Sequence, residues 1–216
     1  MPPLFRPWVD HVVRAALVIV VVVIIGGPIL LMAWVRTPYI TGQGVPFDQP
    51  ISFDHRHHVR DDGIDCLYCH VSATRAASAG IPPTELCLNC HNQIWNDSPL
   101  LQVVWHSFAS RQPIAWTRVT RLPDFVFFNH AAHTTAGVGC ETCHGRIDRM
   151  ARVYQAAPLT MGWCLDCHRA PERYLRPRDQ VTTMGWQPPD VQLVVGRALK
   201  QRYRVRALTD CTTCHR

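Results

Sequence analysis

The chain has 216 residues, a net charge of +6 and ten cysteines. Seventeen prolines and twelve glycines leave few uninterrupted stretches for a sheet, which argues against an extended β architecture and for short helices with long irregular connections. The basic surplus is carried by one lysine, Lys200, and twenty-one arginines, and by itself would suit a nucleic-acid partner.

The first predicted element is a membrane span. From Ala15 to Val35 run twenty-one uncharged residues, enough to cross about 30 Å of hydrocarbon as a helix. Arg6, His11 and Arg14 precede it, and its exit, Leu31 to Val35, lacks the small-residue pattern of a cleavage site. Residues 1–36 therefore read as a cytoplasmic N-terminus and an uncleaved signal-anchor in the cell membrane. Everything after Arg36 is expected on the periplasmic side, with Trp34 and Tyr39 at the interface. The span has no polar face, unlike a buried soluble helix. Gly26, Gly27 and Pro28 interrupt it, a break that suits packing against a neighbouring helix in a multisubunit complex.

Beyond the span, two cysteines two residues apart are followed at once by histidine five times. The pairs are Cys66 and Cys69, Cys87 and Cys90, Cys140 and Cys143, Cys164 and Cys167, and Cys211 and Cys214, using every cysteine in the chain. Two thiols at this spacing can each add to one vinyl group of a single haem, and the adjoining histidine is then held under the iron. Zinc ribbons or disulfide knots would not explain a histidine in the same place each time. Five covalently bound haem c groups are expected, with His70, His91, His144, His168 and His215 as proximal ligands. Each ferric haem with two ionised propionates brings about −1, so the loaded chain falls to near +1 oxidised and near −4 reduced. That removes the case for nucleic acid and assigns most arginines to propionates, where a planar fork is useful.

About 180 residues must then hold five haems, so the flat apolar porphyrins are expected to supply much of the core. The fold class expected is a multihaem cytochrome c: mostly irregular, with short α-helices around the haems, plus one N-terminal transmembrane helix.

An internal repeat organises the rest. Phe53-x-His55-x-x-His58 precedes the first and second motifs, and Phe128-x-His130-x-x-His133 precedes the third and fourth. The expected division is a first dihaem module over 37–92, a linker over 93–124, a second dihaem module over 125–169 and a one-haem tail over 170–216. His55 and His58, like His130 and His133, lie three apart; on a helical turn they share a face but are offset along the axis, so they can serve two different irons. These four are the expected distal ligands, whereas His57 points elsewhere. The fifth distal ligand stays open among His106, Met161 and Met184; a thioether would raise that site's potential. Between Asp190 and Arg206, Val191, Val194, Val195, Ala198 and Leu199 recur at helical spacing with Arg197, Lys200, Arg202 and Arg204 among them. This is expected to be a surface helix packed by its apolar stripe, or else a basic docking surface.

The stretch PIAWTRVTRLPDFVFFNHAAHTTAGVGCETCHGRIDRM, together with PLTMGWCLDCHR, resembles the pentahaem cytochrome subunit of alternative complex III, and the paired histidines are similar to class III multihaem cytochromes. The family often has histidine where this chain has Thr120. The resemblance implies a complex that oxidises quinol and passes electrons to a soluble periplasmic acceptor. It also implies an iron-sulphur subunit, a monohaem cytochrome c subunit and polytopic membrane subunits holding the quinol site. Two further readings stand beside this relay. One is a self-sufficient quinol dehydrogenase, which needs a haem near the bilayer, whereas about thirty residues separate Val35 from Cys66. The other is an oxyanion reductase, which needs an open iron, whereas all five proximal positions are histidine.

Overall fold

The computed structural model describes residues 5–215 and divides into two units, one ending at Gln43 and one beginning at Gly44. The first unit is dominated by helix α1, Pro7–Trp34, which begins eight residues before the apolar run and has no buried residue. Pro7 suits the first turn, where its missing N–H would have no partner anyway. Its 28 residues make about 42 Å, long enough to cross a bilayer, and the helix stays continuous through Gly26, Gly27 and Pro28. A four-residue helix α2, Pro38–Thr41, ends on Gly42 in the left-handed conformation.

In the second unit, no strand forms among the described residues; isolated bridges join Pro46 to Tyr154, Val126 to His215 and Val138 to Leu175. Helices are short: α3 Cys66–Cys69, α4 Thr84–His91, α5 Gln102–Ser110, α6 His130–Ala136, α7 Cys140–His144, α8 Met161–Arg169, α9 Gln192–Arg202 and α10 Cys211–Cys214. Side-chain caps explain several starts. Asp65 accepts from Leu67 N at 2.8 Å, Asn129 from Ala132 N at 3.2 Å and Thr160 from Trp163 N at 3.4 Å. A wide turn over Arg56–Asp61, closed by Asp62 N donating to His57 O, carries the first histidine pair.

The two repeat units interlock reciprocally. Helix α6, with the second histidine pair, docks on the turn after the first motif: His130 N donates to Ala77 O, Ala131 N to Ala76 O, and Thr134 Oγ1 to Ala73 O, each at 3.1 Å. The Arg56–Asp61 turn in its place packs on the Ile147–Arg149 turn that follows the third motif. The aliphatic core is thin. Leu88, Leu101 and Val104 cluster with Cys87, Trp105, Ile114 and Ile51 between α4 and α5, while Leu175, Val181, Met150 and Leu199 are buried singly elsewhere.

Helix α9 departs from the stripe expected for it. Gly196 and Leu199 are its buried positions, while Val191 and Val194 are exposed. Gly196 lets the helix backbone approach the carbonyl of Glu172, where a Cβ has no room. Around that contact Gln192 donates to Glu172 O at 3.2 Å and Leu175 O at 2.8 Å, and Lys200 Nζ meets Glu172 Oε2 at 2.8 Å. A close backbone approach with polar anchors has selected the buried face.

Candidate functional site

All five cysteine motifs fold as short helices or the ends of helices, so thiols three apart share a face and the histidine follows directly. All ten thiols are unpaired. Among the described residues no three or more His, Cys, Asp or Glu side chains converge as a bare metal ion would require. Burial pushes the Cys143 thiol up to about 12 and that of Cys167 up to about 11, far from the thiolate a catalytic cysteine needs. The neighbours that reinforce these shifts reveal the packing order. Cys69 lies near Cys87 and Cys90, Cys66 against Cys140, Cys143 near Cys164 and Cys167, and Cys164 near Cys214. In space the motifs run second, first, third, fourth, fifth.

The expected distal histidines stand opposite expected proximal ones. The His58 ring lies 6.2 Å from that of His91, the His133 ring 6.0 Å from that of His168, and the His130 ring 6.4 Å from that of His144. A metal binds an imidazole nitrogen at about 2 Å, so two imidazoles facing across one metal have ring centres about 6 Å apart. The three pairs fit an iron between them. Burial, then the charges of His70 and His58, hold His55 down to about 4, so His70 and His58 both lie near it. Burial likewise holds His144 down to about 4 and lowers His133, so these rings are neutral and can accept a metal.

Backbone carbonyls fix which nitrogen remains free. Nδ1 donates from His58 to Asp54 O at 3.0 Å, from His133 to Asn129 O at 2.8 Å and from His130 to Ala77 O at 2.9 Å. On the proximal side it donates from His70 to Gly80 O at 3.3 Å, from His91 to Ile94 O at 3.2 Å and from His168 to Leu208 O at 2.8 Å. With Nδ1 committed, the Nε2 lone pair is the one left for a metal. His55 differs from its counterpart His130, since its buried Nδ1 has no hydrogen-bond partner among the described residues.

The remaining expected residues are dispersed. His57 is solvent-facing, stacked on Trp95 and 3.6 Å from Asp61. His106 is exposed on α5, and Met161 is exposed at the first turn of α8. Met184 lines a cleft with Asp65, Cys66 and Thr182, beside the first motif. The His215 ring lies 5.8 Å from that of Phe125. The Thr120 carbonyl accepts from Arg118 Nε at 3.2 Å. Arg14, Arg56, Arg60, Arg146, Arg152 and Arg176 each pair with a carboxylate, which narrows the arginines available to propionates.

Sequence reasoning missed Arg176 and the part played by the two phenylalanines that head the repeated pattern. Buried Arg176 meets Glu141 Oε1 at 2.7 Å and Thr183 O at 3.0 Å, and stacks on Trp186. Gly137, at φ +92°, and Gly139 leave it no room to spare beside the third motif. Nothing local marks Arg176, but Phe53 and Phe128 were visible as the fixed first member of the repeated histidine pattern.

Residues 126–216 match the family described as cytochrome c7 and related cytochrome c. Over 98 residues, 45% of the chain, the sequence is 37% identical to the menaquinone reductase multiheme cytochrome c subunit of Nitratidesulfovibrio vulgaris. The match covers 46% of that protein, so the chain spans about half the length of the curated relative it matches. The fold is that of a multihaem cytochrome c domain, helical and without strands among the described residues, with one N-terminal apolar helix that is a candidate span. The family match spans the third, fourth and fifth cysteine motifs.

Proposed function

We propose that this chain is a pentahaem electron relay, anchored in the cell membrane by α1 with residues 37–216 on its outer side, and bound into a quinone-oxidoreductase complex of the alternative complex III type. The observation that carries this reading is the set of opposed imidazoles, each joining a histidine of the repeat to the histidine of a cysteine motif at 6.0 to 6.4 Å. Haem, when bound, supplies one-electron chemistry at potentials set by its ligands and surroundings. The polypeptide holds it. Each cysteine pair would anchor one haem, with His55 opposite His70, His58 opposite His91, His130 opposite His144 and His133 opposite His168.

For the fifth site we favour Met161 over His106 and Met184. It sits one helical turn before Cys164, which neighbours Cys214, whereas Met184 borders the first motif. The thin aliphatic core supports porphyrin packing as the main apolar contribution within both dihaem modules, 37–92 and 125–169, and the tail over 170–216. The linker over 93–124 supplies α5, which covers the second motif.

Partners expected from the resemblance are an iron-sulphur subunit, a monohaem cytochrome c, polytopic quinol-binding subunits and a soluble periplasmic acceptor. A second reading reverses the flow, with electrons passing into menaquinone, and is supported by the name of the 37% identical relative. Gentle solubilisation, a native gel stained for haem and assays of each band with menaquinol and with menaquinone plus a reduced donor distinguish the two. A pentahaem chain that migrates alone and oxidises quinol unaided would overturn the subunit reading. Mass spectrometry that counts other than five haems would overturn the relay as drawn.

A further inference from the structure

Both histidine pairs are built around one phenylalanine in the same way. Phe53 lies face to face with His58, at 4.4 Å and 24°, and edge-on to His55, at 4.7 Å and 84°. Phe128 repeats this with His133, at 4.7 Å and 27°, and with His130, at 4.7 Å and 87°. Stacking on one ring and edge contact with the other holds the two imidazoles of a turn nearly at right angles. His58 and His133 are also tied at Nδ1 to the carbonyl four residues back in their own turn. Neither ring is left free to rotate.

The opposed pairs differ accordingly. His58 meets His91 with ring planes 66° apart and His133 meets His168 at 62°, whereas His130 meets His144 at 7°. Resting on the reading that these pairs bind haem iron, we propose that Phe53 and Phe128 are positioning residues that set crossed imidazole planes at the second site of each module. The third-motif site keeps parallel planes, so the chain holds two electronically distinct kinds of bis-histidine iron.

The physical reason is orbital overlap. The π-donor orbital of an imidazole stands perpendicular to its ring, so parallel rings act on the same iron d orbital and separate it from its partner. Crossed rings act one on each and leave the two nearly equal in energy. A low-spin ferric centre with well-separated orbitals gives a three-line rhombic resonance, whereas near-equal orbitals give one broad feature at large g. Axial-ligand orientation is thereby a lever on the iron that the protein, not the cofactor, controls.

The test is low-temperature electron paramagnetic resonance of the oxidised, haem-loaded, full-length protein in detergent. The wild type should show both signal types. Phe128→Leu and Phe53→Leu should each remove one centre's worth of the large-g feature and add it to the rhombic signal, with haem count and low-spin optical spectrum unchanged, and Phe128→Tyr should restore the original spectrum. Should a leucine variant lose haem, Phe128→Met and Phe53→Met decide in its place. A wild-type spectrum with rhombic low-spin signals alone, or leucine and methionine variants with undiminished large-g intensity, would overturn the inference and leave the relay intact. High-spin signals at these centres in the wild type would instead overturn the ligand reading on which it rests.

Discussion

Cys66 and Cys140, from the two halves of the repeat, hang from adjacent carbonyls of one segment: the Cys66 thiol points at Thr182 O, 3.9 Å away, and the Cys140 amide donates to Val181 O at 2.8 Å. The first motifs of the two modules therefore meet at the centre of the domain, with the second motif outside one and the fourth and fifth outside the other. In the relay proposed above, an electron crossing from the second site to the fifth passes this junction.

Breaking the junction should divide the relay. In a Cys140→Ala, Cys143→Ala variant, mass spectrometry should count one haem fewer. Rapid reduction by dithionite should resolve into two separate populations, because the first and second sites no longer exchange quickly with the fourth and fifth. Single-phase reduction indistinguishable from wild type would contradict the spatial order.

His133→Ala should leave every thioether intact and open one iron, that held by His168, whose ring lies 6.0 Å from that of His133. The expected readout is one high-spin centre that binds cyanide, with an unchanged haem count. His58→Ala should do the same at the iron held by His91. If either variant keeps only low-spin centres and an unaltered redox titration, its histidine is not a ligand.

Met161→Ala should create one high-spin centre and remove the highest-potential step from the titration, since thioether ligation raises the potential relative to bis-histidine. Met184→Ala should change neither, because its side chain lies beside the first motif, for which His55 is the proposed ligand. The opposite pattern would transfer the fifth site to Met184.

His55 and His130 should differ in the potentials they confer. The Ala77 carbonyl that accepts from His130 Nδ1 makes that imidazole a stronger donor, and the buried Nδ1 of His55 has no such partner among the described residues. The first-motif centre should therefore titrate above the third-motif centre. Difference titrations of His55→Ala and His130→Ala identify the two steps, and a reversed order would refute the argument.

Gly196→Ala should destabilise the haem domain by about 1–3 kcal/mol, because a Cβ there runs into the backbone of Glu172 and something must shift. Gly162→Ala, on α8 with open space around it, should be neutral or slightly stabilising. Thermal melts of the two variants should separate by several degrees, and equal melts would show that α9 moves away at no cost.

Much of the site was legible in the chain itself. Covalent attachment chemistry requires two thiols and a histidine at fixed local spacing, and that spacing is written as Cys-x-x-Cys-His whatever the rest of the fold does. The apolar run from Ala15 to Val35 has the length of a span for an equally local reason, and the turn that offsets His55 from His58 follows from helical geometry. Tertiary structure alone decided which imidazole faces which, that Met184 borders the first motif rather than the fifth, and which face of α9 is buried. Those outcomes depend on close contacts between irregular segments distant in sequence, such as His130 N with Ala77 O, Cys140 N with Val181 O and Gly196 against Glu172. Backbone groups meeting across loops carry no residue code and no periodicity, so no pattern in the chain announces them.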